Sequence, residues 1–169
     1  MRKNIRLFGY LAFMALVLSA CANKEKEVEV EEVTEVLDMA KVRTEIQNME
    51  DAYAAGEKAK DPDAVVAYYS DDAISYGQNE QPQSGKAAIR DGLAKDIASD
   101  TTGSYNVYKV VDLFAEGNSA VEVGSWTKFD AEGNQIDNGN YMSYFEKRDG
   151  KYICIRDMST TATPRKKAE

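Results

Sequence analysis

Four carboxylates and five phenols carry the reactive chemistry of this chain: Asp71, Asp72, Asp137 and Asp157, with Tyr53, Tyr68, Tyr76, Tyr141 and Tyr144. A carboxylate beside an acidic C–H bond, with a donor facing the developing oxyanion, is the equipment of proton transfer at carbon. In an apolar pocket a tyrosine, or an aspartic acid kept protonated, serves as that donor. Composition narrows the alternatives. The 169 residues include no histidine, which excludes Ser-His-acid and Cys-His pairs and every histidine-ligated metal. No two carboxylates have a spacing that dictates metal binding, and no motif implies a cofactor.

Asp157 is the candidate base and Tyr144 its candidate acid because one stretch holds both. Residues 134–158 (NQIDNGNYMSYFEKRDGKYICIRDM) read as two β-strands joined at Lys147-Arg148-Asp149-Gly150. Asp-Gly between alternating apolar runs is the strongest short hairpin signal. Alternation places Tyr141, Ser143 and Phe145 on one face, with Met142, Tyr144 and Glu146 on the other. In the second strand Tyr152, Cys154, Arg156 and Met158 alternate with Ile153, Ile155 and Asp157. Counting back from the turn sets Tyr144 roughly opposite Tyr152–Cys154 and Asp157 near Met142 or Tyr141. Strands apolar on both faces are covered on both sides, so the hairpin is expected at the centre of its sheet.

A second role stays open for Asp157, that of a hydrogen-bonded acid tying the last strand to a helix or loop. Asp71 and Asp72 read as helix-stop and turn residues. Trp126 shares a strand face with Glu122 and Lys128 and lines either a pocket mouth or a core. Tyr53, Tyr68, Tyr76 and Tyr141 are the other pocket-lining candidates, or else core tyrosines with satisfied hydroxyls. Arg90 belongs to the solvated face of its helix, and Arg156 is a possible partner for a pocket acid.

These residues are positioned by a domain that starts near Leu37. Met39, Val42, Ile46, Met49 and Tyr53 recur at steps of three and four, the apolar stripe of an amphipathic helix reaching about Lys60. Asp61-Pro62 then starts a second helix to Tyr69, with Asp61 as N-cap and Pro62 in the first turn. Ala73 to Tyr76 is a brief strand, residues 77–83 a polar loop, and Ala87 to Ser99 a third helix capped by Ser84 or Gly85. Strands follow at Tyr105 to Phe114, Ala120 to Phe129 and Ile136 to Lys147, with turns at Glu116-Gly117-Asn118 and Glu132-Gly133-Asn134. Helices followed by meandering strands make an α+β order.

Upstream, residues 1–20 carry Arg2, Lys3 and Arg6, an apolar run from Leu7 to Leu18, and small residues: the pattern of a signal peptide. The segment Leu18-Ser19-Ala20-Cys21 resembles the bacterial lipobox, which implies lipid attachment at Cys21, cleavage before it and acylation, typically by palmitate, of the new amino terminus. Several acyl chains together anchor stably. Ala22 in place of Asp after that cysteine favours an outer-membrane lipoprotein, on its periplasmic or surface face. Residues 21–36 read as an acidic tether, 37–160 as the folded domain and 161–169 as a polar tail. Lipidation of Cys21 leaves Cys154 without a disulfide partner. Removing Arg2, Lys3 and Arg6 from the 21 basic residues leaves 18 against 29 acidic ones, net −11. Such a surface repels phosphate backbones and argues against nucleic-acid binding.

Four motifs resemble one fold family. Residues 60–69 (KDPDAVVAYY) resemble its second helix, Ser70-Asp71-Asp72-Ala73-Ile74 the start of its first strand, and Ser84-Gly85-Lys86-Ala87-Ala88-Ile89 the start of its third helix. Asp149-Gly150-Lys151-Tyr152 through Asp157-Met158 resembles its closing strand. In this order they resemble the SnoaL-like, nuclear transport factor 2-like cone fold that also houses ketosteroid isomerases. The resemblance implies a strongly curved, mostly antiparallel sheet wrapped around about three helices, in the cystatin-like manner, enclosing a pocket with an apolar lining.

Such folds host both enzymes and binding modules. The preferred reading is a lipid-anchored domain holding a small apolar ligand and pairing with a second copy through the outer face of its sheet. The alternative is a ketosteroid-isomerase-like enzyme with an Asp base and a Tyr acid.

Overall fold

The computed structural model describes residues 37–164. The signal peptide, Cys21, the tether and the last five residues of the tail lie outside the described residues. Helix α1 (Met39–Ala59) begins where Asp38 accepts the backbone N–H groups of Ala40 and Lys41, and ends at Lys60, which turns left-handed at φ 55°. Val42 and Ile46 bury its apolar stripe. Asp61 caps α2 (Pro62–Val66) by accepting from Asp63 and Ala64.

This second helix stops three residues before the expected Tyr69. The chain has already turned into β1 (Tyr69–Tyr76), because Tyr69 pairs with Cys154 on the last strand. Sheet pairing therefore overrides a run that reads as helical. The loop expected at 77–83 contains part of a two-residue strand, β2 (Gln83–Ser84), antiparallel to β1. Gly85 precedes α3 (Lys86–Ser99) at φ 87° with no side-chain cap, its amide donating to Ala73 O at 2.8 Å.

Strands β3 (Tyr105–Glu116), β4 (Ser119–Phe129), β5 (Gln135–Arg148) and β6 (Lys151–Thr161) complete one sheet, ordered β2-β1-β6-β5-β4-β3. All neighbours are antiparallel except β1 and β6. The β5–β6 hairpin is central, as expected, and its turn holds Asp149 and Gly150 at φ 52° and 79°, the two positive values a tight primed turn requires. Phe145, Cys154 and Tyr152 from this hairpin join Ile46, Val66, Tyr68, Ile89, Val110 and Ala120 in the core.

Extra residues at Val111, Ile136 and Ile155 break the ladders of β3, β5 and β6. A bulge adds twist and bends its strand, which curves the sheet around the helices. The bulge at Ile155 also corrects the simple alternation. Phe145 faces Cys154, but Tyr144 faces Arg156 and Ser143 faces Asp157. Asp157 thus shares the concave face with Tyr152 and Cys154, and Arg156 points to the convex side. The convex face of the hairpin is uncovered within the described residues: Met142 is 45% and Met158 52% exposed, with Phe114 at 64% in the adjoining rows.

Candidate functional site

Inside the cone, three carboxyls and a shell of tyrosines converge between α1 and the concave face of the sheet. Glu50 projects from the apolar stripe of α1 and is 3% exposed; Glu122 on β4 is fully buried. The Tyr68 hydroxyl lies 2.6 Å from Glu50 Oε1 and 3.0 Å from Ser143 Oγ. Tyr141 donates to Glu122 Oε1 at 2.6 Å. Burial, reinforced by the charge of Glu122, pushes Glu50 up to about 9 despite the Tyr68 bond. Burial also raises Glu122, against the Tyr141 bond and the charge of Arg43. Two carboxyls in one apolar enclosure cannot both ionise cheaply, so Glu50 holds a proton at neutral pH. Glu122 Oε2 is buried without a hydrogen-bond partner.

Asp157 stands further toward the mouth. Tyr69 donates to its Oδ2 at 2.8 Å, while Oδ1 is buried without a partner of hydrogen-bonding geometry. Burial raises this carboxyl above its ordinary range, and the Tyr69 and nearby Ser75 hydroxyls act in the opposite direction. A cavity of about 340 Å³ reaches Glu50, Tyr68, Tyr108 and Tyr141. It shares Tyr53, Tyr69, Trp126, Asp157 and Ser159 with an adjoining cavity of about 410 Å³. Asp157 therefore lies on the common wall of one cleft.

Two glycines admit the aromatic walls. Tyr141 lies across Gly124 and Trp126 across Gly139, each ring over its cross-strand partner. A Cβ on Gly124 would fall within the Tyr141 ring, and one on Gly139 would meet both Trp126 and Thr160 O. Trp126 is held further by its Nε1 donating to Thr160 O at 3.2 Å. Tyr53 stacks edge-on to Tyr68, Tyr69 and Tyr108, with centroids 5.3, 6.3 and 5.4 Å away.

A profile of the SnoaL-like domain matches residues 49–155. The chain belongs to the SnoaL-like family. Solved structures support the same architecture for this SnoaL-like domain. A Nostoc punctiforme protein of unknown function with a cystatin-like fold is 16% identical at a TM-score of 0.66, covering 76% of this chain and 95% of its own. An NTF2-like protein from Novosphingobium aromaticivorans has 14% identity and a TM-score of 0.63, with 73% and 84% covered. A ketosteroid isomerase-like protein from Erwinia carotovora is 17% identical at a TM-score of 0.59, covering 72% and 97%. At these identities the likeness concerns fold alone. None of the curated proteins matches the sequence.

Among the residues that sequence reasoning selected, Tyr53, Tyr68, Trp126, Tyr141, Asp137 and Asp157 line the SnoaL-like domain's cleft. Tyr144 does not reach Asp157. It lies on the other side of β5, its hydroxyl 3.1 Å from Ser119 Oγ. Tyr76 is 39% exposed and lies outside both cavities. Asp72 is exposed on β1, paired with Arg148 at 2.6 Å, and Arg90 pairs on the surface with Asp63. Asp137 is held below its ordinary range, chiefly by the Thr163 hydroxyl. Glu50, Glu122, Tyr69 and Tyr108 were missed. A signal existed for two of them: Glu50 falls inside the stripe of α1, four residues after Ile46, and Glu122 alternates with Ala120 and Trp126. An acid in an otherwise buried register is the mark of a built polar site.

Proposed function

We propose that this SnoaL-like domain is the ligand-binding part of a lipid-anchored envelope protein, holding one small molecule in its cone without transforming it. The observation that carries this reading is the cleft ending on Asp157, whose Oδ1 is buried yet unpartnered. A buried acceptor left unpaired costs about 1–3 kcal/mol, which a ligand donor on that wall would offset. Cavities of 340 and 410 Å³ match a compound of one or two rings. Attachment through Cys21 would hold the domain at the outer membrane, and a second copy would cover the convex row of Phe114, Met142 and Met158.

The enzymatic alternative, a ketosteroid-isomerase-like proton transfer with Asp157 as base, draws support from its raised pKa. Most of the cleft's tyrosine donors are committed elsewhere, which leaves only the Tyr53 hydroxyl among them to face an oxyanion. The Tyr68 and Tyr141 hydroxyls already meet Glu50 and Glu122, and Tyr69 is engaged by Asp157 itself. Stabilising developing charge needs donors aimed at an empty position. Titrating small aromatic and alicyclic compounds of differing charge, while following Trp126 emission and the melting temperature, tests the binding reading. Saturable shifts in both support it, and no shift with any compound refutes it. Turnover of a bound compound would favour the alternative.

A further inference from the structure

The cleft presents acceptors and aromatic surfaces, and four of its aromatic donors are already engaged. Tyr69 donates to Asp157, Tyr108 to Glu57 Oε2 at 3.0 Å, Tyr141 to Glu122 and Trp126 to Thr160 O. Lys128 lies on the same wall, where its charge favours the ionised forms of Asp137 and of nearby Glu57. Asp157, whose Oδ1 is buried and unpartnered, shares the wall common to both cavities with the rings of Tyr53, Tyr69 and Trp126.

A carboxylate oxygen framed by electron-rich rings is complementary to an ammonium group. The charge pairs with the oxygen, and adjoining methylene or methyl groups lie on the ring faces. A neutral carbonyl compound would leave Asp157 Oδ1 without a donor, and an anion would meet Asp157 and Asp137. The chain's net charge of −8 adds a field that gathers cations and repels anions. We infer that the ligand of the cone is a small organic cation, an aryl- or alkyl-ammonium, seated with its N–H on Asp157 Oδ1. This inference rests on the binding reading above and adds the chemical class.

The probes are 2-phenylethylammonium, 2-phenylethanol and phenylacetate, matched in size and differing in charge. They are titrated at pH 7 into the full chain, with emission of Trp126, the sole tryptophan, as the readout. The cation is expected to bind at least about tenfold more tightly than the alcohol, with phenylacetate weakest. Asp157→Asn, with unchanged circular dichroism, should bring the cation's Kd to within about threefold of the alcohol's. If that variant does not fold, the wild-type comparison alone decides. Equal or tighter binding of the alcohol or the acid overturns the cation class and leaves the binding reading intact. No response to any of the three overturns the cation class, and the wider titration described above then decides whether the binding reading falls with it.

Discussion

Asp157 stands directly opposite Ser143 across the central hairpin, one position away from where unbroken alternation would put it, because Ile155 is bulged out of the ladder. That single extra residue brings the acid to the concave face and turns Arg156 outward. It also separates Asp157 from Tyr144, so the acid's hydroxyl partner comes from β1, as Tyr69, and not from its own hairpin. The cleft wall is thus assembled from sequence positions 88 residues apart.

Gly124→Ala is expected to destabilise the domain by roughly 1–3 kcal/mol, the range for overpacking a filled core. The added methyl would displace the Tyr141 ring and break its bond to Glu122. Urea denaturation checks this. A midpoint equal to wild type would mean that the ring has room to move.

Stability between pH 5 and pH 9 is expected to fall as pH rises. A carboxyl raised in the folded state contributes stability that is complete below its unfolded value, 4.5 for Glu50, and lost as pH climbs to about 9. Glu122, Glu57 and Asp157 shift in the same direction. Each group adds a slope of up to about 1.4 kcal/mol per pH unit within its window. Glu50→Gln keeps a neutral side chain facing Tyr68, Glu122, Tyr141 and Ser143, and should flatten the profile. Melting temperatures across this range settle the matter; a variant as pH-sensitive as wild type would remove Glu50 as the source.

The domain freed of its tether should sediment as a dimer at micromolar concentration. Phe114, Met142 and Met158 make exposed apolar surface on the convex face that lone soluble domains seldom present together. Met142→Lys at the middle of this row should shift the population to monomer without lowering the melting temperature of the isolated fold. A wild-type monomer at that concentration would end the pairing proposal.

Growing the producing cells with a fatty-acid analogue should label the protein at Cys21. Cys21→Ser is expected to abolish the label and leave an uncleaved or soluble product. Unlabelled wild-type protein would contradict the lipid anchor.

Much of the fold was legible in the sequence because it rests on local signals. Asp38 and Asp61 cap helices as their side-chain chemistry requires, and the Asp149-Gly150 turn can adopt little else. The period-two runs of 105–148 gave the meander and the central hairpin, and four short motifs in order gave the family. Tyr53, Tyr68, Trp126 and Tyr141 followed from their registers on those elements.

Tertiary structure decided what depends on contacts between distant segments. No local pattern distinguishes Tyr69 as the end of a helix from Tyr69 as the start of a strand; its pairing with Cys154 does. Alternation cannot reveal a bulge, since Ile155 is as good a strand residue as either neighbour, yet the bulge chooses which face receives Asp157. Glu50 and Glu122 lie 72 positions apart in the chain, and only the folding of α1 onto the sheet brings their charges together. Local signals in the chain were enough for most of the elements, the turns and the family likeness. The folded chain decided the chemistry of the cleft, because a carboxyl's protonation and a hydroxyl's free donor depend on what surrounds them in space.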